Sequence, residues 1–217
     1  MTIRPIYLLS VTPSDDPDIT HLPILETAWL QPKVDLSRID GIIFTSKNGV
    51  DALEKIAPEW KSVPVLSVGK GTRQRVEALG GTVAGTVKGY GEMLYELIRE
   101  RFPRFRWLYA RPRVVASDFA SRLREEGVVV EEAVVYETLC RADKMDVAIP
   151  DDSILIFTSP SALHCFQSRF VLAQTHSVVA IGRTTEKSLP GRKVHIAPEP
   201  TVAACITLAK QLAKEQV

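Results

Sequence analysis

Two short apolar runs set the pattern of the chain. Gly41-Ile42-Ile43-Phe44 leads without a polar residue into Thr45-Ser46-Lys47-Asn48, and Ile154-Leu155-Ile156-Phe157 leads in the same way into Thr158-Ser159-Pro160-Ser161. Apolar runs of this length, with no polar alternation, predict parallel strands covered on both faces. After the first run the apolar residues change to helical spacing at Val50, Leu53 and Ala57. The Thr-Ser pairs therefore stand where strand gives way to helix. Hydroxyls there can cap the helix, whose free first-turn N–H groups form a ready anion site.

The same reading extends along the chain. Strands are expected at 6–11, 63–68 and 105–110, with extended segments at 22–30, 128–130 and 133–139. Helices are expected at 48–57, 70–79, 92–102 and 117–126. Gly80-Gly81 and Gly127 close two of them. The C-terminal part repeats the order: strand 153–158, helix 161–170, strand 177–181, short helix 184–189, strand 193–196 and helix 201–214. The stretch 12–20 interrupts the alternation. Its two prolines and three aspartates leave room for a loop or a clipped helix. Strands alternating with helices of about ten residues predict an α/β fold with parallel sheets.

The two halves also keep a common spacing. Phe44 and Phe157 are 113 positions apart, as are Gly69 and Gly182, and Thr72 and Thr185; beyond these the copies drift by two residues. This points to a duplicated module and hence to two similar lobes of about 100 residues, each large enough for a modest core. Ligands of parallel sheets bind at the carboxyl ends of the strands. Those ends carry Thr45, Ser46, Thr72, Arg111, Ser159, Ser161, Thr184 and Thr185, a set of neutral donors with one cation.

Composition narrows the chemistry. With 27 basic and 26 acidic residues the net charge is +1, so no nucleic-acid or membrane partner is expected. No apolar run approaches the roughly 20 residues needed to span a bilayer. Three widely spaced cysteines (Cys140, Cys165, Cys205) read as reduced core residues of a cytoplasmic protein. The four histidines show no ligand spacing, and no metal is expected. There is no P-loop, no G-x-S-x-G elbow and no G-x-G-x-x-G fingerprint. A ligand bearing several carboxylates or phosphates suits the donor set.

The doubled Phe-Thr-Ser strand and helix, the Val68-Gly69…Thr72 and Ile181-Gly182-Arg183-Thr184-Thr185 turns, and the middle section Trp107-Leu108-Tyr109-Ala110-Arg111…Val134-Val135-Tyr136-Glu137-Thr138 together resemble the uroporphyrinogen-III synthase family over nearly the whole chain. The resemblance implies two similar parallel-sheet α/β lobes joined by a two-stranded linker, with a cleft between them. One lobe would be discontinuous (1–28 and 139–217), the other would span 33–134, and the linkers would lie near 29–32 and 135–138. It implies cyclisation of hydroxymethylbilane, a linear tetrapyrrole, with loss of water and inversion of ring D. No cofactor is implied, and a cytoplasmic monomer is expected. Tyr136 matches the family's tyrosine and would donate a proton to the leaving hydroxyl; it could instead pack at the lobe connection. Thr45, Ser46, Ser159, Thr184 and Thr185 would hold carboxylate arms or simply cap helices. Arg111 would pair with a carboxylate or remain a solvated charge, and Lys47 and Arg183 would add positive potential at the rim.

The chain departs from the family in two places. Ser10-Val11-Thr12-Pro13 lacks an arginine that many bacterial members carry, and Ala116-Ser117 stands where a second basic residue often follows. A second class of function fits the same pattern: a bilobal cytosolic protein that binds a small polyanion without catalysis.

Overall fold

The computed structural model describes residues 4–88, 91–115, 117–142 and 147–214; Ala116 lies outside them. The chain divides into two compact units. The first joins Met1–Thr27 to Thr138–Val217, and the second is Ala28–Glu137. The chain crosses between them inside strand β3 (Leu25–Trp29) and inside strand β8 (Val130–Cys140). These strands are neighbours in one sheet. The Leu30 N–H donates to the Val135 carbonyl and the Arg141 N–H to the Ile24 carbonyl, so their pairing is antiparallel.

The second unit is built on a six-stranded sheet. Its members are β3, β4 (Gly41–Phe44), β5 (Val65–Val68), β6 (Val83–Val87), β7 (Trp107–Pro112) and β8, in the order β3-β8-β7-β4-β5-β6. Between them run α1 (Lys47–Ile56), α2 (Gly69–Ala78), α3 (Gly91–Arg101) and α4 (Phe119–Glu125). All four residues of β4 are buried. Ile42 and Phe44 pack on one face with Val50, Leu53 and Trp60, while Ile43 packs on the other with Tyr109, Leu94 and Phe119. Two covered faces are why this strand reads as a continuous apolar run.

Close approach explains one glycine in particular. A Cβ at Gly41 would lie 2.3 Å from the Trp107 ring on the neighbouring strand. Trp107 is itself fixed by stacking on Phe105 and an edge contact with Phe102.

The first unit carries a five-stranded sheet in the order β11-β10-β9-β1-β2, all parallel. Its strands are β1 (Ile6–Leu9), β2 (Ile19–His21), β9 (Ile154–Phe157), β10 (Ser177–Ala180) and β11 (Val194–Ile196). Helices α5 (Pro160–Gln167), α6 (Arg183–Glu186) and α7 (Val202–Lys214) complete it. Strand β9 lies 113 residues after β4, residue for residue. It is central in its sheet as β4 is in the other, with β10 and β11 beside it where β5 and β6 flank β4.

The correspondence fails between β1 and β2. Where the second unit has α4, the segment 10–18 is non-helical. The Ser10 hydroxyl donates to the Thr12 carbonyl and the Asp16 carboxylate accepts from the Asp18 N–H. Lys210 of α7 ties both aspartates down at 2.7 and 2.8 Å.

Two local expectations need correction. Cys140 and Cys165 are joined in a disulfide, and only Cys205 is a free thiol among the described cysteines. The 25-residue separation hid the pairing, because it is the topology that brings the end of β8 against α5. Cys205 is the buried core residue expected, its thiol pushed up to about 11 by burial. Strand β6, with Gly85 and Thr86 in a half-exposed edge position, has no counterpart in the sequence reading.

Candidate active site

The Thr-Ser pairs sit at the carboxyl ends of β4 and β9. Ser46 and Ser159 are extended N-caps (φ −156° and −166°), accepting from the N–H groups of Asn48 and Ala162 at 3.2 and 3.1 Å. The capping role therefore holds in both copies. The preceding threonines differ. The Thr45 Oγ1 lies 3.2 Å from the Tyr109 hydroxyl, whereas the Thr158 hydroxyl donates to the Leu9 carbonyl at 2.9 Å.

In the second unit these residues line a cavity of about 180 Å³. Thr45 and Ser46 follow β4, Val68 ends β5, Tyr109 and Pro112 come from β7, and Tyr136 comes from β8. The opening is thus at the carboxyl ends of parallel strands, where ligand sites of such sheets form. Gly91 and Ser117 close one side, with the Ser117 hydroxyl seated where a Cβ of residue 91 would be.

Tyr136 reaches the cavity through a β-bulge. Along the β7–β8 pair the register runs Ala110–Ala133 and Arg111–Val134, then jumps to Pro112–Tyr136. Pro112 has no N–H to give to the ladder, and a bulge is where a strand tolerates that. The extra residue breaks the alternation of β8, so that Val135 and Tyr136 both face the same core cluster. Tyr136 is 6% exposed. Burial raises its phenol above the usual value of 10.0, opposed by a hydrogen bond with Ser46. Tyr109 is raised too, first by burial and then by the neighbouring Tyr136 and Glu132, while its bond with Thr45 and the Arg111 charge oppose this. The site therefore presents two buried phenols beside the Thr45-Ser46 pair, with the Tyr109 hydroxyl bonded to Thr45.

Tyr109, part of the middle section that carries the resemblance, is not among the expected site residues because an aromatic inside a strand signals core. The signal that would have found it is its position two residues before Arg111, on the same face of β7.

The other expected residues divide by exposure. Arg111 does not line the cavity. Its Nε donates to Glu132 at 2.7 Å and its Nη1 to the carbonyls of Pro112 and Arg113, while Arg124 shares Glu132. Thr72 and Thr185, the matched threonines of the repeat, are 6% and 2% exposed and pack inward from α2 and α6. In the first unit Ser161, Arg183 and Thr184 are exposed at the starts of α5 and α6; in the second, Lys47 is exposed at the start of α1. Among the described residues no cluster of His, Cys, Asp or Glu is arranged to hold a metal, and no helix is long and apolar enough to cross a membrane.

Comparison with known proteins agrees with this architecture. The family model described as uroporphyrinogen-III synthase HemD matches residues 9–207. The crystal structure of uroporphyrinogen-III synthetase from Helicobacter pylori 26695 is similar at 25% identity and TM-score 0.82, over 96% of this chain and 99% of that one. A mutant uroporphyrinogen III synthase from the extremely thermophilic bacterium Thermus thermophilus shares the fold at 14% identity and TM-score 0.59, with both chains covered completely. No curated protein matches the chain by sequence. A family match over nearly the whole length, on two parallel-sheet units whose strand ends carry capped Thr-Ser turns, places this chain in the uroporphyrinogen-III synthase family, the cyclising lyases of tetrapyrrole biosynthesis.

Proposed function

We propose that the cavity at the strand ends of the second unit is where the linear tetrapyrrole loses water, with Tyr136 as the proton donor. The observation that supports this most is the gathering of two buried phenols, Tyr109 and Tyr136, with Thr45 and Ser46 around one opening. In the reaction the C–O bond of the terminal hydroxymethyl group breaks. Its electrons leave with oxygen, and the phenol supplies the proton that makes the leaving group water. The pyrrole nitrogen of ring A delivers its lone pair to give an azafulvene cation. Ring D attacks through its substituted carbon, and the spiro intermediate opens and recloses with that ring inverted. Loss of a proton restores the pyrrole and returns the phenolate to phenol.

The larger share of the acceleration is conformational. Free azafulvene closes at the unsubstituted carbon, so the protein must hold the chain where the substituted carbon is nearer. Thr45, Ser46 and the first-turn N–H groups of α1 suit carboxylate arms. We assign the same kind of contact to Ser159, Ser161 and Thr184 at the strand ends of the first unit. The buried Thr72 and Thr185 are assigned to it only through the backbone N–H groups of their turns. Arg111 acts through Glu132, steadying the end of β7 that carries Tyr109.

A Thr45→Val variant tests the arm-binding assignment. It keeps the shape of the side chain and removes the hydroxyl. KM for hydroxymethylbilane is expected to rise about tenfold with kcat little changed, the mark of uniform binding lost. An unchanged KM would remove Thr45 from the site.

We further propose that the protein is a cytoplasmic monomer. The family's biosynthetic role supports the location, and the Cys140–Cys165 disulfide stands against a reducing compartment. Thiol titration of protein taken directly from cells decides: three free thiols fit the cytoplasm, one does not.

A further inference from the structure

We propose that the first unit carries a second anion site, at the amino end of its sheet, that takes a compact polyvalent oxyanion of the phosphate class. A cavity of about 380 Å³ opens there, lined among others by Arg4, His176, Ser177, Arg192, Lys193 and His195. Among the described residues no aspartate or glutamate lines it. These residues stand before β1, at the start of β10 and around the start of β11. The site is therefore at the opposite ends of the strands from Ser159 and Gly182.

Two guanidinium groups are built into its wall by bonds that leave their charge uncompensated. Arg4 is 8% exposed. Its side chain crosses β9, which lies between β1 and β10. Its Nε donates to the Asp152 carbonyl at 2.6 Å and its Nη2 to the Ser177 hydroxyl at 2.9 Å. Arg192 donates to three carbonyls, those of Leu172, Ala173 and His176, at 3.3, 2.5 and 2.7 Å. Among the described residues neither arginine pairs with a carboxylate.

A guanidinium has five N–H donors. Protein acceptors take two from Arg4 and three from Arg192, so both forks keep donors for a ligand. Carbonyl dipoles orient a buried cation but bring no opposite charge, and a charge removed from water without one is unfavourable. Burial accordingly holds Arg192 below the ordinary guanidinium value and His176 below the ordinary imidazole value. Arg4 and Arg192 depress His176 further, while Asp151 is the carboxylate whose charge opposes them. The His176 Nε2 lies 3.1 Å from the Pro150 carbonyl, and its buried Nδ1 has no partner among the described residues. Two guanidinium forks, a lysine and a hydroxyl converging on one cavity are the donors that recognise a tetrahedral dianion, and the His176 and His195 rings in its wall report on the ligand.

The test is a titration of the full chain with inorganic phosphate, followed by calorimetry and by the imidazole resonances of His176 and His195. Glycerol phosphate in a parallel titration separates an ester ligand from free phosphate, and citrate tests whether carboxylates serve equally. Saturable one-to-one binding that moves both histidine rings is expected. Lys193→Glu, at an exposed position, is expected to weaken it by about tenfold or more. Three results would overturn the site: no saturable binding at up to about 20 mM, binding that leaves both rings unmoved, or binding that Lys193→Glu leaves unchanged. No turnover is involved, so any of them leaves the synthase reading as it stands.

Discussion

Replacing Tyr136 by Phe removes one hydroxyl and keeps the ring that fills the core between Val135 and the cavity. Two effects follow, and they differ in size and in readout. Loss of the buried hydroxyl beside Ser46 costs at most about 1 kcal/mol of stability. In a chain of this length that is a fall in Tm of about 2–4 °C. Loss of the proton donor acts on kcat. General acids contribute about 10²- to 10⁴-fold. Burial raises the Tyr136 pKa and makes it a weaker acid, which favours the lower end, about 10²-fold or 2.7 kcal/mol on the barrier.

Single-turnover formation of uroporphyrinogen, measured beside thermal unfolding, separates the two effects. The pH profile adds a sign. The phenol is raised above 10.0, so the donor form persists and kcat stays flat to about pH 9. Above about pH 10 the unfolded tyrosine ionises before the folded one, so this group's contribution lowers stability as pH rises further. If Tyr136→Phe has wild-type kcat with only the small loss in Tm, the phenol is a packing residue and the proton comes from elsewhere.

Two further outcomes test the scaffold. Gly41→Ala places a Cβ 2.3 Å from a Trp107 ring that is 1% exposed and hemmed by Phe102 and Phe105. Urea unfolding should show a loss of about 1–3 kcal/mol, and an unchanged midpoint would mean the β4–β7 contact is looser than described. Reducing Cys140–Cys165, which closes a 25-residue separation, should lower stability by about 3 kcal/mol through the unfolded chain. Identical Tm with and without reductant would show that the bridge does not constrain that chain.

The sequence was most legible where both faces of a strand are covered. Strands β4 and β9 appear as unbroken apolar runs because each face has its own core cluster. The capped turns after them appear because Thr-Ser has few other uses at such a junction. The repeat of 113 is real in the strands, yet its matched threonines face inward, so equal spacing recorded shared packing.

What stayed hidden depends on contacts distant in sequence. Strand β2 has three residues and exists by pairing with β1. Strand β6 is a half-exposed edge containing a glycine. The disulfide needs β8 to end beside α5. Tyr109 looks like core because it is core, with Phe119 at 4.9 Å, yet it also lines the cavity. The bulge that turns Tyr136 into the cavity shows in the sequence only as Pro112, whose partner strand lies more than twenty residues away.

The most direct measurement supplies freshly generated hydroxymethylbilane to the purified protein in metal-free buffer, oxidises the products and separates uroporphyrins I and III by chromatography. Type III isomer forming in proportion to protein, well above the blank, is the result this account predicts. Type I alone, at the rate seen without protein, would contradict it.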